Sequence, residues 1–385
     1  MIPYGRQDIN AADIEAVISV LNSDYLTQGP QVPLFEANIC RETQANFAVA
    51  GNSATSMLHA ACLALGVGKG DIVWTSPITF VASANCAFYC GADVDFVDVD
   101  PSTANMCPVA LEKKLLEAAR LGILPKVIIP VHMAGHSCDM QAVSKLVSPY
   151  GIKIIEDAAH AIGGHYADMP IGSCQFSDIT VFSFHPVKII TTAEGGVATT
   201  NCLQLSQAMQ SYRSHGITKS ADEMLRPDEG DWYYEQHNLG FNYRMTDLQA
   251  GLGNSQITRL SEFVDKRNQL AKRYELLLNK LDIKFIQPLN HCHSAYHLFI
   301  VRLPANIDRK SVFNLMRLAG ICVHVHYFPV YLQPFYLQKG FLPGHCPGAE
   351  AYYSHCLTLP LYTELTESEQ DFIVRNLTDI LSLIK

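Results

Sequence analysis

The stretch from Lys153 to Asn201, KIIEDAAHAIGGHYADMPIGSCQFSDITVFSFHPVKIITTAEGGVATTN, decides how the rest of the chain is read. Two runs in it, Lys153-Ile154-Ile155 and Ile179-Thr180-Val181-Phe182, have the length and β-branched content of buried strands. The first runs straight into Asp157. The second ends at Ser183, with Lys188 five residues further on and a Glu194-Gly195-Gly196 turn before a third strand, Val197 to Thr200. Ligands in open α/β sheets sit outside the carboxyl ends of strands, so Asp157 and Lys188 are expected to meet in one crevice. A lysine amine forms an imine with an aldehyde, and a carboxylate keeps a pyridine nitrogen protonated. Pyridoxal 5'-phosphate chemistry asks a protein for that pair. Taken singly, an aspartate after a strand is more often a turn or cap residue, and a lysine there more often a solvated one. The context lifts the pair: Ala158, Ala159, Gly163 and Gly164 permit close approach, and Ser183, Thr191 and Thr192 supply hydroxyls.

Composition bounds what surrounds this stretch. A chain of 385 residues with 48% hydrophobic and 17% charged residues is globular, core-rich and long enough for a large α/β domain with a smaller one appended. A net charge of −9 argues against a nucleic-acid partner. No apolar run reaches membrane-spanning length. The opening Met1-Ile2-Pro3-Tyr4 lacks a basic and apolar leader, so a cytoplasmic location is expected, with the twelve scattered cysteines reduced. His291-Cys292-His293 matches no zinc spacing, and no metal is expected.

Strand–helix–strand alternation through residue 200 implies a mostly parallel sheet covered on both faces. The large domain is expected over residues 10–250 and a smaller α+β domain over 251–385, with residues 1–9 as an N-terminal arm. Gly51 to His59 (GNSATSMLH) is a small-residue turn opening a helix. It reads either as an anion site at the positive helix end or as an ordinary serine cap. A long helix is expected from Leu248 to Leu278, with Arg267, Lys272 and Arg273 on its outer face. A strand over Cys322 to Tyr327 would put His324 and His326 on one side.

The segments EDAAHAIGGHY, SFHPVKIITTAEGG and HNLGFNYRMTDLQAGLG resemble the DegT/DnrJ/EryC1/StrS family of sugar-nucleotide aminotransferases, and the resemblance covers nearly the whole chain. It implies the pyridoxal-phosphate-dependent transferase fold of type I, with Lys188 carrying the cofactor and Asp157 facing its ring nitrogen. By the same resemblance Thr55, Ser56 and Ser183 hold the phosphate, and Phe80 stacks on the ring. His160 stands where relatives bond the phenolic oxygen. Asn242 reaches the phosphate of a partner subunit, so a homodimer with shared sites is implied. Tyr4, Thr27, Gln28, His326 and Tyr327 become candidate sugar-nucleotide contacts. Arg244 would lie near the substrate phosphates, and His185 either orients substrate or packs. Most members read TTGEGG, whereas this chain has Ala193 in TTAEGG. With SPITFVASANC and VHYFPVYLQPFY, that departure resembles the pseudaminic-acid branch. That branch uses L-glutamate to aminate C4 of a UDP-linked 4-keto-6-deoxy-N-acetylhexosamine, the alternative being another nucleotide-linked keto sugar. Three rivals are set aside. A sugar 3-dehydratase would carry histidine at position 188, a cysteine desulfurase would need a mobile loop cysteine, and a non-catalytic regulator would carry a basic DNA-binding segment.

Overall fold

The computed structural model describes residues 1–384. Its centre is a seven-stranded sheet in the spatial order 47–51, 196–200, 179–183, 153–157, 127–129, 72–75, 93–96. The five strands from 179–183 outward to 93–96 pair in parallel, while Gly196–Thr200 runs antiparallel to both of its neighbours. No helix separates Ser183 from Gly196, so nothing carries the chain across for a parallel return. The inner strands are apolar without alternation because helices cover both faces. Ile129, Ile155, Ile179, Val181 and Val197 have no exposed surface.

Three expectations need correction. The long helix is two helices, Asp247–Gln256 and Leu260–Leu278, joined by a 3-10 turn at Ile257–Arg259. At the break the Thr258 hydroxyl donates to the Ser255 carbonyl at 2.6 Å, a bond that competes with the helical ladder. The first of them packs on the helices Ala11–Leu21 and Gln31–Thr43. The lobes share the second helix. Phe263 and Val264 enter the large-domain core, and Leu270, Tyr274 and Leu278 enter the small one.

Arg267 is not on an outer face. It is 1% exposed and donates to the carbonyls of Tyr296, His297 and Leu361 at 3.1–3.3 Å. Finally, Cys322 to Tyr327 is no regular strand: it carries one isolated bridge, His324 to Thr358, and the adjoining Ile321 another, to Ile2. The segment is shared between the N-terminal arm on one side and the strand Cys356–Leu359 on the other, so neither edge builds a ladder. The small lobe's sheet is Lys284–Phe285, Phe299–Arg302 and Cys356–Leu359, flanked by helices Arg309–Leu318 and Glu367–Ile384. Among the described residues no helix is long and apolar enough to cross a membrane.

Candidate active site

At the carboxyl ends of strands 153–157 and 179–183 lies a cavity of about 450 Å³, within the usual range for small-molecule sites. Asp157 and Lys188 both line it, so the crevice expected from the strand ends exists. Asp157 is the last residue of its strand and 5% exposed. Its Oδ1 accepts the Ala159 N–H at 3.0 Å, and its Oδ2 accepts the Ser83 hydroxyl at 2.5 Å. Ser83 went unnoticed in the sequence, because nothing 74 positions away marks it as a partner.

Lys188 follows a tight turn in which its N–H bonds the His185 carbonyl at 2.9 Å. It keeps some accessible surface because it lines the cavity. Enough protein surrounds it, however, that burial lowers its ammonium to about 8, opposed by the Asp157 charge. A lysine so lowered has a usable fraction of free amine near neutral pH.

One end of the cavity is a helix start. Ser53 caps helix Ala54–Ala64 in a reciprocal box with Ser56. Ser56 is not on the cavity wall. Its hydroxyl is engaged with Asn52 Oδ1 and the Ser53 carbonyl, each at 2.7 Å. Ser53, Ala54 and Thr55 face the cavity instead, and the box leaves the N–H groups of Ala54 and Thr55 free at the positive helix end. The segment is thus a serine cap whose two free N–H groups lie beside the cavity. Ser183 lines the same cavity and pairs in register with Gly196. A Cβ on Gly196 would sit 2.4 Å from the Ala54 nitrogen, so only glycine lets the strand approach the helix start. Ala193 adopts φ 64°, the left-handed region.

The walls are aromatic and imidazole. Phe80 is 60% exposed on the cavity. His160 is buried, with Nε2 3.3 Å from the Tyr327 hydroxyl and its ring 4.5 Å from that of His297. Burial, then the charges of Lys188 and His326, hold His160 well below the usual imidazole range, so it is neutral. Its Nδ1 is buried without a partner among the described residues. Burial pushes the Tyr327 hydroxyl up, which keeps its proton in place. His326 accepts or donates at Nδ1 to Thr358 Oγ1, 2.8 Å away, and is likewise held neutral, chiefly by burial. Tyr4, His185 and His324 complete this part of the lining. The main-chain carbonyl of Tyr4 accepts the Leu361 N–H at 3.0 Å, which ties the N-terminal arm down.

Thr27, Gln28, Asn242 and Arg244 do not line this cavity. The structure nevertheless brings the two segments together. Thr27 bridges Thr246, the Asp247 N–H bonds the Leu26 carbonyl at 3.0 Å, and the Gly29 N–H bonds Asp247 Oδ1 at 3.2 Å. Thr27, Gln28 and Asn242 are exposed. The Asn242 carbonyl accepts from Asn52 Nδ2 at 3.4 Å, beside the cap of the cavity helix.

Residues 7–378 match the DegT/DnrJ/EryC1/StrS aminotransferase family. The chain is 34% identical to the UDP-4-amino-4,6-dideoxy-N-acetyl-beta-L-altrosamine transaminase of Campylobacter jejuni, covering 100% of this chain and 99% of that one. Among solved structures it is similar to a putative sugar aminotransferase, Spr1654 of Streptococcus pneumoniae in its PMP form, with a TM-score of 0.91, 31% identity and 100% of both chains covered. It is also similar to Helicobacter pylori PseC, an aminotransferase of pseudaminic acid biosynthesis, with a TM-score of 0.91, 29% identity and 99% of both chains covered. The chain thus belongs to the DegT/DnrJ/EryC1/StrS aminotransferase family, and it is a pyridoxal 5'-phosphate-dependent sugar aminotransferase.

Proposed function

We propose that this chain transfers the amino group of L-glutamate to C4 of a UDP-linked 4-keto-6-deoxy-N-acetylhexosamine, as a homodimer whose sites are shared between copies. The meeting of Asp157 and Lys188 in one cavity carries this reading, in a chain similar along its whole length to the Campylobacter transaminase. The residues present fit the cofactor: an anion cradle at the helix start, a buried carboxylate with lone pairs to spare, and an exposed aromatic wall. When bound, pyridoxal phosphate supplies an electron sink and carries the amino group between the two substrates.

Lys188 attaches the cofactor. Its amine takes the Cα proton of glutamate in one half of the cycle and delivers a proton to C4 of the sugar in the other. With pyridoxal phosphate bound, the Asp157 carboxylate would pair with the ring nitrogen, Thr55, the Ala54 and Thr55 N–H groups and Ser183 would hold the phosphate, and Phe80 would cover the ring. Ser56 supports them from behind by fixing the cap. His160, neutral, would bond the phenolic oxygen. Tyr4, His185, His326 and Tyr327 orient the sugar. Thr27, Gln28, Asn242 and Arg244 lie off the cavity of their own chain and serve the site of a second copy, with Asn242 at the phosphate and Arg244 at the diphosphate.

The test is direct. The purified protein should be yellow and bleach on addition of L-glutamate, and borohydride should leave the cofactor's mass on the peptide carrying Lys188. Assays with UDP-linked 4-keto sugars of both C5 configurations should give an amino sugar from the L-configured one. Amination of neither epimer, or turnover surviving in Lys188→Ala, rules the reading out.

A further inference from the structure

We propose that Ser83 is a positioning residue for Asp157. A one-way chain of hydroxyls, Thr79 to Ser83 to Asp157, sets the plane of the carboxylate and keeps the proton of the cofactor's pyridine ring on its nitrogen. This deepens the proposed function and rests on it.

Ser83 has no exposed surface. Its Oγ lies 2.5 Å from Asp157 Oδ2, 2.7 Å from Thr79 Oγ1 and 3.3 Å from the Phe80 carbonyl. A serine hydroxyl owns one proton, and an ionised carboxylate can only accept. At 2.5 Å that proton belongs to the bond with Asp157. The Thr79 hydroxyl must then donate to Ser83, and the Phe80 carbonyl is left with a contact that carries no proton. Every hydroxyl dipole in the chain points its positive end at the carboxylate, and such chains strengthen one another in a low-dielectric interior.

The local structure shows what these hydroxyls forgo. Helix Ala82–Tyr89 has Val81 at its N-cap and no side-chain cap. Thr79 lies two residues before that cap and Ser83 is the second helical residue, and neither hydroxyl is spent on the helix's own N–H groups. The Ser83 hydroxyl instead reaches the carboxylate on the strand below.

The Ala159 N–H holds the other oxygen, at 3.0 Å. With one donor on each oxygen the carboxylate cannot twist about its Cβ–Cγ bond, and each oxygen keeps one lone pair for the cavity. Donors to the ionised form also make the carboxylate a weaker competitor for the ring proton, so that the proton stays on nitrogen.

The experiment uses holoenzyme reconstituted with pyridoxal phosphate labelled with nitrogen-15 in the ring. Wild type should show a protonated ring nitrogen. In Ser83→Ala the resonance should move toward the neutral pyridine position, and kcat should fall roughly tenfold to a hundredfold, the range for losing a hydrogen bond to a charged group. KM for L-glutamate should change far less, since glutamate touches neither hydroxyl. Ser83→Thr, which keeps the hydroxyl, should restore both readouts, and Thr79→Val should move the resonance the same way by less. A Ser83→Ala enzyme with wild-type resonance and kcat overturns the inference. Should that variant not fold, an unmoved resonance in Thr79→Val overturns it equally. If wild type itself carries no cofactor on Lys188, the functional reading has failed. If wild type loads and only the serine variants are silent, this inference alone has failed.

Discussion

Glu156 and Asp157 are neighbours on one strand, of one chemical class, and each is 5% exposed. They face opposite sides of the sheet and meet different surroundings. The Glu156 carboxylate is closed in by protein, with His132 Nε2 at 2.7 Å, the Ser177 hydroxyl at 2.5 Å and the Thr180 hydroxyl at 3.1 Å. His132 Nδ1 accepts the Cys138 N–H at 3.1 Å, which puts the imidazole proton on Nε2, aimed at Glu156. Asp157 has one donor on each oxygen and an opening in front of it. Burial and hydrogen bonding are therefore common to both carboxylates. What sets Asp157 apart, and fits the role proposed for it, is acceptor capacity left unspent toward a space that a ligand can enter.

The sharpest way to break the comparison is to remove each charge alone. Asp157→Asn should cut kcat by about 10²–10³, the usual loss of one preorganised electrostatic partner, while melting changes little. Turnover and thermal melting of the same preparation check it. Glu156→Gln should do the reverse, keeping cofactor binding but losing about 2–3 kcal/mol in denaturant titration, because the new amide N–H₂ meets donors where an acceptor stood. If the two variants lose activity and stability alike, the distinction between the two faces is wrong.

Lys188 extends the test to pH. With its folded value at about 8 and its ordinary value at 10.5, the unfolded chain holds a proton between those limits that the folded chain does not. Stability of the cofactor-free protein should then rise with pH across that window, and Lys188→Met should remove that component of the slope. The smallest expected effect lies at Ala193, whose left-handed backbone disfavours a Cβ. Ala193→Gly should stabilise by about 0.5–1 kcal/mol, net of glycine's greater freedom when unfolded. A melting shift of opposite sign would refute it.

Much of the frame was legible from pattern. Apolar runs ending in Asp157 and Ser183 marked strand ends. Local chemistry writes such features into local sequence. Partnerships across the fold are not written there. Nothing near Ser83 announces Asp157, and nothing near Ser56 says that its hydroxyl turns inward to Asn52 while Thr55 faces the cavity. Arg267 misled for a related reason. Charge on a helix predicts an outer face unless the fold offers buried carbonyls, and here the offer comes from positions 296, 297 and 361. His297, whose ring lies against that of His160, was invisible because the contact exists only in the folded chain. The patch around Thr27 and Asn242 became visible as one surface only after folding joined residues more than 200 positions apart.

Arg267 has one more consequence. A guanidinium sunk among carbonyls of two chain segments, on the very helix both lobes share, works as a rivet. Separating that helix from the two segments would strip three carbonyls of their donor and let solvent in around the cation, which penalises any motion that parts them.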